Sequence, residues 1–406
     1  MTVALTAGAL VDPGLLDDPY PFLRRLVADA PVWRVPDTDI VLVSSFDAIA
    51  ETVQRVDDFS SNIRRIIYRS DAGLPERAPF GTADVDTLAT ADPPMHTTHR
   101  STVFPELVAR RMVTIRPRVE ALVDERIAQV LSTPTVEVME VVANAVPIRV
   151  ISELIGFHGE NPDQLLAAAF DSTAPFSAFA PLDELYDAMA RTADVFAWIS
   201  DQLDRALADG ADGILDAVAT GVTEGTLTHS EGVVILQTLL SAGGESTTSL
   251  LGNAIHLLAT KPELQAQVRA EPACLPVFIE EVLRLESPFR QHLRHATRAT
   301  ALRGVEIPAD ATLLLLWGAA NRDPAEYDRP DEVVLDRTAP RHHLAFGRGI
   351  HHCVGAPLAR LEAEVVLRTL LERSAHLELD EDAHPQRVRS LMVRRFERLP
   401  IRVQPL

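Results

Sequence analysis

Phe346-Gly347-Arg348-Gly349-Ile350-His351-His352-Cys353-Val354-Gly355 leads directly into a helix-period run that continues to Arg373. A cysteine at a helix N-terminus, set among glycines with Arg348 and two histidines nearby, has the helix dipole and cationic neighbours to lower its thiol pKa. That pattern predicts a thiolate at Cys353. The plain alternative is an ordinary buried thiol, the usual fate of a lone cysteine. A second alternative is zinc, because His342, His343, His351, His352 and Cys353 are the right ligand types. Adjacent histidines point apart and no second cysteine is close in sequence, which weighs against zinc.

Outward from this loop the chain reads as mostly helical. Helix-period patterns cover residues 114–131, 138–155, 182–208, 228–259, 275–285 and the run after Gly355. Strand-like runs lie at 32–43, 293–297, 305–307, 312–316 and 388–396. The expected fold class is mainly α with a minor β region (α+β), and with no linker or repeat visible, residues 1–406 are expected to form one domain. The long helix starting at Thr228 opens with Thr-His-Ser-Glu, a capping box between Thr228 and Glu231. Its centre carries Ser241-Ala242-Gly243-Gly244-Glu245-Ser246-Thr247-Thr248, where two glycines and three hydroxyl residues weaken helix propensity. A bend is expected there. Residues 57–92 show no long period and are marked as a substrate loop.

The spacing F-x-x-G-x-x-x-C-x-G, met here from Phe346 to Gly355, resembles the haem-ligand loop of the cytochrome P-450 superfamily. The resemblance extends over nearly the whole chain. Ala242-Gly243-Gly244-Glu245-Ser246-Thr247 is similar to the family's central-helix motif, Glu281-Val282-Leu283-Arg284 to its E-x-x-R, and Asn321-Arg322-Asp323-Pro324 with Asp336-Arg337 to its meander. Asp92-Pro93-Pro94-Met95-His96 with Arg100 resembles the haem-contacting helix, and the wording as a whole looks most like soluble actinobacterial members. The resemblance implies the P-450 fold with a long central helix over haem b (iron protoporphyrin IX), Cys353 being the iron ligand. It implies further that Phe346, Gly347 and Gly355 frame that ligand and that Ala242 and Gly243 lie beside the macrocycle. His96, Arg100, Arg294 and His351 would then pair the propionates, buried anions that need partners. Glu245 with Ser246 or Thr247 would relay protons. The commonest family pattern has threonine directly after the acid, so which hydroxyl serves stays open.

By the same resemblance, apolar pocket candidates are Ile63, Ile66, Ile67, Tyr68, Phe80 and Leu88, then Phe176, Phe179, Leu239, Ala242, Phe289, Leu391, Met392 and Val393. Arg64, Arg65, Arg69 and Arg290 are candidate carboxylate anchors, with solvated loop arginines as the plain alternative. Cys274 has no ligand-like neighbours and is given no role.

Composition bounds what remains. The 406 residues are 47% apolar and 24% charged, which excludes wholesale disorder. Thirty-eight basic against 58 acidic residues give a net charge of −20, a surface that repels phosphate backbones and anionic lipid. Neither nucleic acid nor membrane is expected as a partner, and two cysteines fit a reducing, cytoplasmic setting. The chain has no GxGxxG fingerprint and too few cysteines for a four-cysteine iron–sulfur cluster. The function that the resemblance implies is a monooxygenase that inserts one atom of O2 into a small or medium apolar molecule, and since the chain carries no reductase motif of its own, the implied electron source is an external ferredoxin and ferredoxin reductase. A peroxide-driven haem-thiolate enzyme and a non-catalytic haem sensor are the alternatives. A basic patch on the cysteine side, from Arg110, Arg111, Arg116, Arg118, Arg348 and Arg360, is expected to steer an acidic ferredoxin.

Overall fold

A computed structural model describes residues 4–80, 85–159, 161–380 and 382–406. Seven helices frame the cysteine loop: α1 (Met95–Leu107), α2 (Ala109–Val130), α3 (Ala145–Ile155), α4 (Pro162–Thr173), α5 (His229–Thr260), α6 (Leu275–Leu285) and α7 (Ala356–Arg373). The 32 residues of α5 span roughly 48 Å at about 1.5 Å per residue, and only a helix central to a large core can bury so much of its length. It packs against α3, α4 and α7, and α7 packs in turn on α2. Leu236, Leu240, Leu250 and Leu251 of α5 are fully or almost fully buried in the main apolar cluster with Ile148, Ile151, Leu367 and Leu370.

The capping box is formed as expected: Thr228 Oγ1 accepts from the Glu231 amide at 3.2 Å, and Glu231 Oε2 accepts from the Thr228 amide at 2.6 Å. Through the weakened centre α5 continues without interruption as a single helix. The glycine pair serves close packing. A Cβ on Gly243 would lie 2.8 Å from Ile151 Cγ1 and one on Gly244 3.2 Å from Ile148 Cδ1, so the missing side chains let α3 approach.

The principal sheet has five strands in the order β1 (Val32–Arg34), β2 (Ile40–Val43), β7 (Thr312–Leu315), β6 (His292–Ala296) and β3 (Phe59–Ser60). Only the β2–β7 pair is parallel. Antiparallel register sets Leu313 opposite Arg294, which fixes where that arginine enters the protein. Other expectations need correcting. Residues 57–92 contain a hairpin, β4 (Arg65–Arg69) and β5 (Pro75–Pro79), whose alternation is masked by prolines and arginines. The 182–208 helix is two, Leu182–Arg191 and Ala193–Asp209, divided where Thr192 Oγ1 bonds back to the Met189 carbonyl at 2.7 Å. Within residues 388–396, Val393 makes a single bridge to Phe289 and Phe396 opens the short strand Phe396–Arg398, which pairs with Gln386–Arg387. The 138–155 helix opens as a π-helix, Met139–Asn144, before α3. No helix among the described residues is long and apolar enough to cross a membrane.

Candidate active site

The cysteine loop turns twice before α7. Gly347 and Gly349 have φ of +66° and +75°, a region where glycine is strongly favoured, and a Cβ on Gly349 would meet the Val53 carbonyl oxygen at 3.2 Å. The Cys353 amide closes the loop on the Phe346 carbonyl at 2.8 Å. Its sulfur, deep in the protein yet facing a cavity, accepts from the backbone amides of Gly355 and Ala356. Burial nevertheless raises the thiol pKa, outweighing those amides, Arg100 and Arg360. The expected lowering is thus reversed for the protein alone, because removing a thiolate from water costs more than two amides and two distant guanidinia return. A coordinated metal ion deprotonates a thiol outright, so the donor set suits a metal-bound sulfur better than a free thiolate. Among the described residues no cluster of three or more His, Cys, Asp or Glu could hold a metal ion, and the zinc alternative falls with that.

About 1380 Å³ not filled by atoms, solvent at its mouth included, separates the cysteine loop from α5. One wall is Phe346, Gly347, His351, Cys353 and Gly355; the facing wall is Leu239, Ala242, Gly243, Ser246 and Thr247. His96, Arg100 and Arg294 stand at the edge, and Leu88 and Phe289 belong to the remaining wall. Of the residues singled out from the sequence as catalytic or cofactor-binding, Glu245 alone does not reach this cavity. It points away from it, its Oε2 accepting from Thr173 Oγ1 at 2.6 Å and its Oε1 from Arg395 Nε at 2.9 Å. Burial raises the Glu245 pKa even against Arg395. Ser246 Oγ donates to the Ala242 carbonyl at 2.6 Å, which leaves its lone pairs as the polar feature it offers the cavity.

The edge of the cavity is short of negative charge. Arg294 donates to its neighbour's Leu293 carbonyl, and among the described residues neither Arg100 nor Arg294 has an ion-pair partner. Burial lowers Arg294 to about 10, with only Asp92 opposing, and Asp92 is itself held by Ser60 and the Ser61 amide. The His96 and His351 rings lie 4.3 Å apart, His351 Nε2 is buried without a partner, and burial with Arg294 and His96 pulls His351 down to about 3. Two arginines and two histidines crowded without a counter-anion fit a ligand that brings its own negative charges. A flat macrocycle with two propionates, one face on a cysteine sulfur, satisfies all of these groups together.

Several cavity and support residues escaped the sequence reading. His292, pulled down by burial to about 3, takes the Trp317 indole N–H on Nδ1 at 2.6 Å, and both line the cavity. Glu280 joins three elements: Arg360 of α7 donates to it at 2.6 and 3.0 Å, and His343, just before the cysteine loop, lies 2.9 Å away. Arg360 also stacks 4.5 Å over the Phe346 ring. The only sequence signal for Glu280 was a second acid beside Glu281. That neighbour and Arg284 form a fully buried bidentate pair at 2.8 and 2.9 Å; Arg337 and the Val334 amide also donate to Glu281, and Arg284 reaches the carbonyls of Asn321, Pro330 and Glu332. Every polar atom of the pair is thereby used to hold the segment leading to the cysteine loop.

Most proposed substrate contacts from the 63–80 region lie elsewhere. Ile66, Tyr68, Phe80 and Phe176 belong to a small cluster with Ala78 and Leu185, while Ile63, Ile67, Phe179 and Leu391 belong to another with Leu16, Phe22 and Leu26. Met392 and Val393 are buried but do not line the cavity. Arg64 and Arg65 pair with Asp86 and Asp310, and Arg290 is buried, donating to the Ser390 carbonyl. None of these arginines, nor Arg69, reaches the cavity wall.

Comparison with known proteins agrees with this geometry. The family model "Cytochrome P-450" matches residues 188–395. Cytochrome P-450 144 of Mycobacterium tuberculosis is 40% identical over 407 residues, covering 100% of this chain and 93% of that protein. The 6-deoxyerythronolide B hydroxylase of Saccharopolyspora erythraea is 35% identical over 395 residues, covering 95% of each. Among solved structures, CYP109E1 from Bacillus megaterium in complex with testosterone superimposes with a TM-score of 0.87 at 25% identity, over 96% of this chain and 99% of that one. A cysteine-faced cavity under a long central helix, in a chain with such relatives along its whole length, has one reading: the chain belongs to the cytochrome P-450 family and is a monooxygenase, a haem enzyme that uses dioxygen and redox partners.

Proposed function

We propose that the enzyme binds haem b on Cys353 and inserts one oxygen atom into a small or medium apolar substrate, drawing electrons from an external ferredoxin and its reductase. The observation that carries this is the Cys353 sulfur facing Ala242, Gly243, Ser246 and Thr247 across the cavity, beside four cationic or cation-capable groups that lack a counter-anion. When bound, haem supplies oxygen activation, to which an axial thiolate contributes electron density that favours O–O cleavage. The chain's residues then have separable tasks. Cys353 holds the metal; Phe346, Gly347 and Gly355 let backbone come close to it. Arg100, Arg294, His96 and His351 pair the propionates. Leu88, Leu239 and Phe289 exclude water and offer an apolar surface, which argues for an apolar substrate. Ser246, whose own hydrogen is held by the Ala242 carbonyl, accepts from a water at its free lone pairs and so orders that water as the proton carrier, and Thr247 is the second hydroxyl at the wall. Glu245, held behind the wall by Thr173 and Arg395, does not touch the cavity, so the proposed proton route runs through the wall hydroxyls and water.

Turnover under isotopically labelled dioxygen, driven by NADH with ferredoxin and its reductase, tests this reading. Incorporation of one labelled atom into product supports it. Equal turnover with hydrogen peroxide alone, and none with the electron-transfer chain, would favour a peroxide-driven enzyme.

A further inference from the structure

His99 is buried to 1% exposure on α1, one turn from His96, and takes no part in the site described above. Its Nδ1 accepts from the Leu88 amide at 3.2 Å, which leaves the ring proton on Nε2. Nε2 sits 3.4 Å from Glu231 Oε1, the free oxygen of the acid that caps α5. Thus one ring joins the cavity wall at Leu88 to the first turn of the central helix. Leu88 needs such a hold. Its φ of +42° lies in the left-handed region, which is strained for a non-glycine residue and persists only where surroundings over-determine it. A local turn contributes, with the Thr90 amide donating to the Thr87 carbonyl at 2.9 Å and Asn62 holding the Thr90 carbonyl. The Leu88 amide itself is anchored by His99.

We infer that His99 is a positioning residue for substrate selectivity: by fixing Leu88 in the cavity wall and tying it to Glu231, it sets the size of apolar ligand the cavity admits. The inference rests on the cavity being the substrate site. The ligand class it acts on is apolar and extended, because Leu88 is an aliphatic wall residue and His99 presents no polar atom to the cavity.

The test uses the haem-loaded enzyme and three azole probes of increasing size, imidazole, phenylimidazole and biphenylylimidazole, with dissociation constants read from the shift of the haem absorption band. His99→Leu removes both contacts. It should tighten the biphenylyl probe about tenfold relative to imidazole, the lower end of what one methylene is worth in an apolar pocket, while imidazole itself changes little. Leu88→Ala should shift the ratio in the same direction. His99→Asn keeps an acceptor near the position of Nδ1 and should restore the wild-type ratio; His99→Gln keeps only the Glu231 side and should behave like His99→Leu. A shifted ratio in Leu88→Ala with a wild-type ratio in His99→Leu overturns the inference alone. A wild-type ratio in Leu88→Ala overturns the cavity reading and the inference with it. Where His99→Leu does not fold, equal ratios in the Asn and Gln variants contradict the proposal.

Discussion

Two neighbouring residues at the centre of α5 face opposite ways: Ser246 opens on the cavity while Glu245 is tied to Thr173 and Arg395 behind it. A serine whose hydrogen is committed to Ala242 still accepts, so it can order a water without competing for that water's proton. Ser246→Ala should therefore keep a thiolate spectrum and NADH consumption, while product per NADH falls and hydrogen peroxide rises; Thr247→Ala should do less. Uncoupling in Thr247→Ala with normal coupling in Ser246→Ala would move the relay to the second hydroxyl. At this scale the sequence was informative wherever spacing encodes backbone geometry, as at Gly347, Gly349 and Cys353. It was uninformative about direction. Nothing in Ala-Gly-Gly-Glu-Ser-Thr says that the acid turns to an arginine 150 positions away, or that Gly243, besides lining the cavity, admits Ile151 while Gly244 admits Ile148.

Elements hold the site through buried carboxylates. Glu280 ties α6 to α7 and to His343; although burial favours its neutral form, His343 and Arg360 outweigh that and bring the group down to about 2. A carboxylate depressed from its ordinary 4.5 contributes stability that is fully present above that pH and is lost as pH falls towards about 2. That window is worth on the order of 3 kcal/mol, since a tenfold change in proton affinity corresponds to about 1.4 kcal/mol. Denaturant midpoints measured from pH 6 to pH 3 should fall more steeply for the wild type than for Glu280→Gln, and parallel profiles would contradict the assignment. Element ends were legible where side chains cap them: Thr228–Glu231 marked the start of α5, and the periods of α6 and α7 stopped where the helices stop. Helix α4, with its run of alanines, and the β4–β5 hairpin, with Arg and Pro at alternating positions, lack a contrasting apolar stripe and were not seen.

Over the whole molecule, despite a net charge of −20, arginines flanking the cysteine side were expected to form a local basic patch, which the structure largely neutralises. Arg111 pairs with Glu106 at 2.7 Å, Arg116 with Glu364 at 3.2 Å, Arg118 with Glu153 at 2.8 Å and Arg360 with Glu280 at 2.6 Å. Among the described residues Arg110 and Arg348 have no carboxylate within ion-pair distance, so they are the positive charges still free to attract an acidic electron donor. Reduction by ferredoxin should slow as salt rises, and Arg110→Glu or Arg348→Glu should slow it more than Arg118→Glu; equal effects at all three sites would remove local steering from the account. The order of the main helices and the minority sheet followed from periodicity, whereas strand pairing did not, because the five-stranded sheet joins residues near 32 to residues near 315 and no local pattern encodes such a distance. The claim on which everything else depends is that Cys353 binds haem iron as a thiolate. The most direct test is the absorption spectrum of the reduced protein under carbon monoxide: a strongly red-shifted Soret band that disappears in Cys353→Ala is predicted, and the same band retained in that variant would contradict it.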